Sequence, residues 1–171
     1  TDLLYHKLAP LLLAIAGPNG EYPSRVSASG GLYIEKDGRE TPDTFLMTAD
    51  YPSEWALFLV STLTDDAGIP DKVYGKYGTM ELGGEPFLQG NGDWKPEFKE
   101  KNDGQEELRI PVEKRRDMEG TFIDAIRGKC AVNCNAELGC STMVAIKLAT
   151  DSFRERKTAL WDAQAEKEML S

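Results

Sequence analysis

The sequence predicts an α+β fold: a mostly antiparallel open sheet of about six strands, with helices packed on one face and the other face available for oligomerisation. Three observations carry this reading. Apolar residues recur at helical spacing at the start of the chain and in its last third, whereas Ser24 to Val112 breaks into short β-rich runs. The runs are joined by hairpin-length turns, which favour antiparallel neighbours. Strands are grouped between helices rather than alternating with them, which argues against a doubly wound sheet.

Taken in order, Thr1 can cap a first helix whose Leu4, Leu8, Leu11, Leu12 and Ile15 share one face. Pro10 should kink or loosen it, and Gly17-Pro18-Asn19-Gly20 should end it. A strand from Arg25 to Ile34 follows, then a turn at Lys36-Asp37-Gly38 and a strand from Thr44 to Tyr51. After Pro52-Ser53-Glu54, the run from Trp55 to Leu63 is apolar on both faces: Trp55, Leu57 and Leu59 on one, Ala56, Phe58 and Val60 on the other. A strand with one wet face should alternate instead, so its second face is expected to be covered by another subunit.

Asp71 to Tyr74 and Thr79 to Leu82 read as a hairpin, with further strands at Pro86 to Gln89 and Leu108 to Val112. Residues 90–104, rich in Gly, Asn, Asp and Lys, read as a solvated loop. Two helices are expected next. The first runs from Glu113 to Arg127, with Met118, Phe122, Ile123 and Ile126 on one stripe and Gly128 as its stop. Asn135 should cap the second, from Ala136 to about Arg154. A short strand from Thr158 to Trp161 and a helical tail at 163–171 complete what reads as a single domain over residues 1–171.

Composition narrows the function. An apolar content of 40% and a charged content of 29% suit a globular chain with a real core. The longest apolar run, Leu8 to Ala16, falls well short of the ~18 residues that cross a bilayer, so no membrane partner is expected. A net charge of −9 argues against sequence-independent binding to nucleic acid, which needs a basic footprint. Cys130, Cys134 and Cys140 lack the spacing of a zinc site and read as thiols, with no metal expected. The chain does not begin with Met, which suits a piece of a longer protein. Cytoplasmic placement is the default, with export open through a signal on a missing N-terminal part.

No phosphate-binding loop of the G-x-x-x-x-G-K-[ST] kind is present, and Gly90-Asn91-Gly92 is not completed to a dinucleotide fingerprint. A G-x-S-x-G elbow is also absent. What remains is Asp2 and His6, the lone histidine, four residues apart and therefore on one helical face. Imidazole exchanges protons near neutral pH, and a carboxylate one turn away can orient it. The same pair also reads as a helix-end acid beside an ordinary histidine. Arg25 and Arg39, in stretches that precede the first and second strands, could meet a substrate hydroxyl or carboxylate, with Tyr22 near Arg25; an exposed ion pair or turn residue is the commoner reading of each. Trp94 and Trp161 could stack on a sugar ring, although packed tryptophans are commoner.

Several stretches together resemble one family. They are Asp2-x-x-x-His6, Tyr22-Pro23-Ser24-Arg25-Val26-x-Ala28-x-Gly30-Gly31, Asp37-Gly38-Arg39-Glu40-x-Pro42-Asp43-Thr44 and Gly75-x-x-Gly78-Thr79. The run from Phe122 to Lys129, then Ala149-x-x-Ser152 and Leu160-Trp161-Asp162, extend the likeness over nearly the whole chain. This resembles the C-terminal domain of the bacterial Gfo/Idh/MocA oxidoreductases. The resemblance implies a missing N-terminal Rossmann domain that holds NAD or NADP, with no cofactor expected on this chain alone. It implies hydride transfer between nicotinamide and a hydroxyl carbon of a sugar or cyclitol substrate, His6 as general base and Asp2 as a substrate-binding or orienting group. It also implies a homo-oligomer formed through the open sheet face. The alternative is a non-catalytic assembly or carbohydrate-binding module on the same scaffold.

Overall fold

The computed structural model describes residues 2–64, 67–112 and 117–171. The elements in chain order are α1 (Asp2–Ala16), β1 (Arg25–Gly31), β2 (Thr44–Tyr51), β3 (Trp55–Thr62), β4 (Lys72–Tyr74), β5 (Gly78–Glu81) and β6 (Phe87–Gly90). There follow a 3-10 turn (Gly92–Trp94), α2 (Lys95–Lys101), β7 (Glu107–Arg109), α3 (Met118–Ile126), α4 (Ala136–Glu155), β8 (Ala159–Asp162) and β9 (Lys167–Leu170). The α+β class is as expected, but the strands divide into two antiparallel sheets of five and four rather than one of six. The chain correspondingly forms two compact units, Thr1–Asp66 with Phe122–Ser171, and Ala67–Thr121.

In the first unit the sheet order is β3-β2-β1-β8-β9, with every pairing antiparallel. Period-two alternation places Phe45, Met47, Ala49 and Tyr51 of β2 inward and leaves Leu46, Thr48 and Asp50 on the other face. Leu4, Leu8 and Leu12 of α1 and Leu138, Ala145, Ile146, Leu148 and Ala149 of α4 close over that inner face. Each such leucine, fully buried, contributes roughly 1.5–3 kcal/mol. α1 runs across Pro10, whose ring lies on its exposed side. Gly20, at φ +63, lets the chain leave α1 hard against α4, because a Cβ there would fall 2.3 Å from Ser141 Oγ. α4 begins where Asn135 predicts: its side chain accepts the Leu138 N–H at 2.9 Å.

The outer sheet face carries Ala56, Phe58 and Val60 of β3 opposite Asp50, Thr48 and Leu46 of β2. Phe58 is 66% exposed while its neighbour Leu57 is 6% exposed, which separates the two faces of that strand.

In the second unit β4-β5-β6-β7 form a meander. Residues 90–104 are not a loop as expected: they hold the 3-10 turn and α2, which begins with Pro96 near its start and buries Phe98. A Cβ on Gly90 would lie 3.1 Å from the Phe98 ring, so glycine there lets the helix sit close on β6.

Three further expectations are corrected. β1 stops at Gly31, not Ile34, because the buried Asp43 carboxylate accepts the N–H groups of Tyr33, Ile34 and Glu35 at 2.8–3.0 Å and bends the chain. The helical tail is instead the strand β9. Asp162 Oδ1 accepts from Gln164 and Ala165 N–H, making a turn that folds the last residues back on β8. The helix expected from Glu113 begins, among the described residues, at Met118, and 113–116 lie outside them. Its apolar stripe does not enter the core: Met118, Phe122, Ile123 and Ile126 are all exposed. Among the described residues no helix is long and apolar enough to cross a membrane.

Candidate functional site

His6 lies on the exposed side of α1, one turn after the helix start. Leu4, Leu8 and Leu12 fasten the opposite side of that helix to the core, so the imidazole is presented on a rigid element. It lines a groove of about 260 Å³ with Tyr5, Ala9, Pro10, Leu13, Cys134 and Leu138. The accessible walls of this groove are almost wholly apolar. Tyr5 meets the His6 ring edge-on with centroids 6.1 Å apart, and its hydroxyl lies 3.3 Å from Cys134 Sγ. That contact with the thiol, aided by burial, raises the Tyr5 pKa above its ordinary value. An imidazole on the rim of an apolar groove can exchange a proton with a ligand hydroxyl while the walls hold the ligand's apolar surface. Asp2 opens α1, and its side chain lies outside the described residues.

The other sequence candidates do not gather around His6. Arg25 points to the outer face of the sheet, opposite the buried Val26, and its Nε donates to Asp50 Oδ2 at 2.7 Å. Tyr22 stacks on Trp161 with centroids 5.8 Å apart and planes 10° apart. Burial, and then the nearby Glu137 carboxylate, raise the Tyr22 pKa. Arg39 is held by Asp37 in its own turn, and its hydrogen bonds pull the Asp37 pKa down to about 2. Trp94 lies beneath Lys76 Nζ, 4.5 Å from the ring centroid. The three cysteines form no disulfide, and among the described residues no group of three or more His, Cys, Asp or Glu is placed to hold a metal. Tyr5 and Cys134 were not foreseen as groove residues: they meet across 129 positions, and no local spacing signals such a contact.

Comparison with known proteins places the fold. No family model matches the sequence, and no curated protein does. Solved structures do match. An NAD-binding protein from Listeria innocua is 15% identical with a TM-score of 0.64, over 93% of this chain and 50% of that one. A protein from Desulfitobacterium hafniense assigned as an NADPH-dependent oxidoreductase reaches a TM-score of 0.69 at 15% identity, over 92% of this chain and 46% of its own. The UDP-N-acetylglucosamine 3-dehydrogenase of Acidithiobacillus ferrooxidans gives 0.66 at 12% identity, over 90% and 46%. This chain has the fold of one half of such oxidoreductases. It spans about half the length of the structures it matches.

Proposed function

We propose that the chain is the substrate-binding and oligomerisation half of an NAD(P)-dependent oxidoreductase, of the Gfo/Idh/MocA kind, acting on a hydroxyl carbon of a sugar or cyclitol. The observation that carries this is His6, on the rim of an apolar groove in a fold that recurs as half of nicotinamide-linked proteins. In the oxidative direction the imidazole takes the hydroxyl proton while the hydride leaves the same carbon, so the alcohol becomes a carbonyl. Bound nicotinamide would supply the hydride acceptor. Asp2, one turn before His6, would orient the imidazole or hold a substrate hydroxyl.

The groove offers Ala9, Pro10 and Leu13 as an apolar wall, and neither a cation nor a glycine-rich loop lines it for a diphosphate. On this reading the dinucleotide's phosphates belong to a Rossmann half that this chain does not include. The outer face of β3, with Phe58 exposed, would be covered by a second copy.

Replacing His6 with Ala in the full-length parent is the test. A base of this kind is worth about 10²–10⁴-fold, so kcat is expected to fall by that factor with assembly unchanged. Unchanged turnover with altered assembly would instead favour the non-catalytic module. Calorimetry with NADH and NADPH should give no tight binding to the 171-residue chain. Sedimentation should show self-association, and a monomer at high concentration would remove the sheet-face contact.

A further inference from the structure

We propose that a second groove, between the unpaired edge of β1 and the last turn of α4, binds a phosphate-bearing small molecule. β1 pairs with β2 along its whole length, but with β8 only at Arg25 and Val26. Among the described residues, the other edge of β1 from Ser27 to Gly31 therefore has no strand beside it. The end of α4 and the residues leading into β8 run past this edge instead. The open groove between them measures about 860 Å³, within the range of small-molecule sites.

Its lining is about half apolar, with Ala28, Gly30, Gly31 and Phe153 beside hydroxyls and cations, and Ser171 also borders it. The Ser27 and Thr158 hydroxyls lie 3.2 Å apart and bond to each other. Ser27, Ser29 and Thr158 supply the hydroxyls, and Arg154, Arg156 and Lys157 supply the charge. Ser152, 1% exposed, closes the bottom: its Oγ accepts the Ala28 N–H at 2.9 Å. Because N–H directions alternate along a strand, the N–H of Gly30 points to the same edge.

The cations exceed what the fold asks of them. Arg154 is partly engaged, since its charge helps hold the Asp151 carboxyl down against burial. Arg156 and Lys157 enter no ion pair or side-chain hydrogen bond among the described residues. A helix C-terminus carries roughly half a negative charge, which two unneutralised cations more than cancel. This occurs in a chain with 29 acids and 20 bases, where carboxylate partners are plentiful.

A monocarboxylate would be satisfied by one arginine fork. Two or three cations beside a row of hydroxyls instead match a dianionic phosphate on a polyhydroxyl body. The groove lies 14 positions along α4 from Leu138, roughly 21 Å at 1.5 Å per residue, and so is separate from the His6 groove.

The geometry also supplies a clean variant. Arg156 ends α4 in the left-handed conformation, φ 55 and ψ 41, where glycine is the favoured residue. Arg156→Gly removes the charge while relaxing the backbone, so lost binding cannot be ascribed to unfolding.

Calorimetric titration of the 171-residue chain with glucose 6-phosphate, inorganic pyrophosphate and glucose tests the proposal. Both phosphates should bind saturably, and glucose at least about tenfold more weakly. The double variant Arg156→Gly with Lys157→Gln should lose about tenfold or more, the factor for one charge-assisted hydrogen bond. Lys129→Gln, at an exposed ion pair elsewhere, should change nothing. No saturable binding by about 10 mM, a weak limit on this scale, would overturn the proposal. Equal loss in the Lys129 variant would overturn it too, by reducing the effect to general charge. Pyrophosphate binding without glucose 6-phosphate binding would reduce the groove to a bare anion site, which also refutes it.

Discussion

Tyr51→Phe should stabilise the protein. Tyr51 points inward from β2 and is 4% exposed, and its ring lies on Trp55 with centroids 3.7 Å apart and planes 5° apart. Its hydroxyl is buried with no hydrogen-bond partner among the described residues. A buried polar group left unsatisfied costs about 1–3 kcal/mol. Removing the oxygen forfeits only a few dispersion contacts of about 0.1–0.2 kcal/mol each. Phenylalanine keeps the ring and its stacking, so the net gain should be about 1 kcal/mol, or roughly 2–4 °C in Tm for a chain of this size.

Burial, with help from the Glu21 charge, raises the Tyr51 pKa well above the ordinary tyrosine value of about 10. The hydroxyl's cost is therefore constant below about pH 10, where it is neutral in both states. The cost grows as the pH climbs from there toward the raised folded value, because the unfolded chain ionises first and stability falls. Thermal and urea unfolding followed by circular dichroism at pH 7 and above pH 10 read both effects. The variant should melt higher at pH 7, and the gap should widen in alkali. A Tm several degrees lower would refute the reasoning by showing that the hydroxyl has a partner, and a gap that ignores pH would refute it by showing that the hydroxyl is not desolvated.

Two more predictions concern the parts that shape the first unit. Asn135→Ala removes the acceptor for the Leu138 N–H and should cost about 1 kcal/mol in urea unfolding; no measurable loss would show that the cap is idle. At Asp43, burial pushes the carboxyl pKa up, but the N–H groups of Glu35, Ile34 and Tyr33 and the Thr44 hydroxyl outweigh it and hold the pKa low. Its stabilising share is thus present above the unfolded value of about 3.9 and lost as pH falls through the folded value below it. Asp43→Asn should abolish that acid dependence and speed amide exchange at 33–35, and unchanged exchange there would count against the carboxylate as the staple.

Much of the first unit was legible because its signals are short-range. The alternation of Phe45, Met47, Ala49 and Tyr51, the helical spacing of Leu4, Leu8 and Leu12, and the Asn135 cap each act within a few residues. The helical stripe of α3 was legible as a pattern, yet all four of its side chains are exposed, since amphipathicity states which side is apolar and not what covers it.

The Asp2 and His6 spacing offers a candidate base on the first helix, and the structure adds the groove wall that Tyr5 and Cys134 bring together across 129 positions. Likewise the basic groove draws on β1 and α4, more than 120 positions apart, as the Ala28–Ser152 hydrogen bond shows. The sequence alone determined the α+β class, the faces of its strands and helices, and one candidate base. Tertiary structure decided the division into two sheets, the burial of Phe98, the return of the last residues as β9, and both grooves. Propensity and periodicity are properties of neighbours in sequence. A sheet edge or a cavity exists only once distant segments have lost the entropy of being apart.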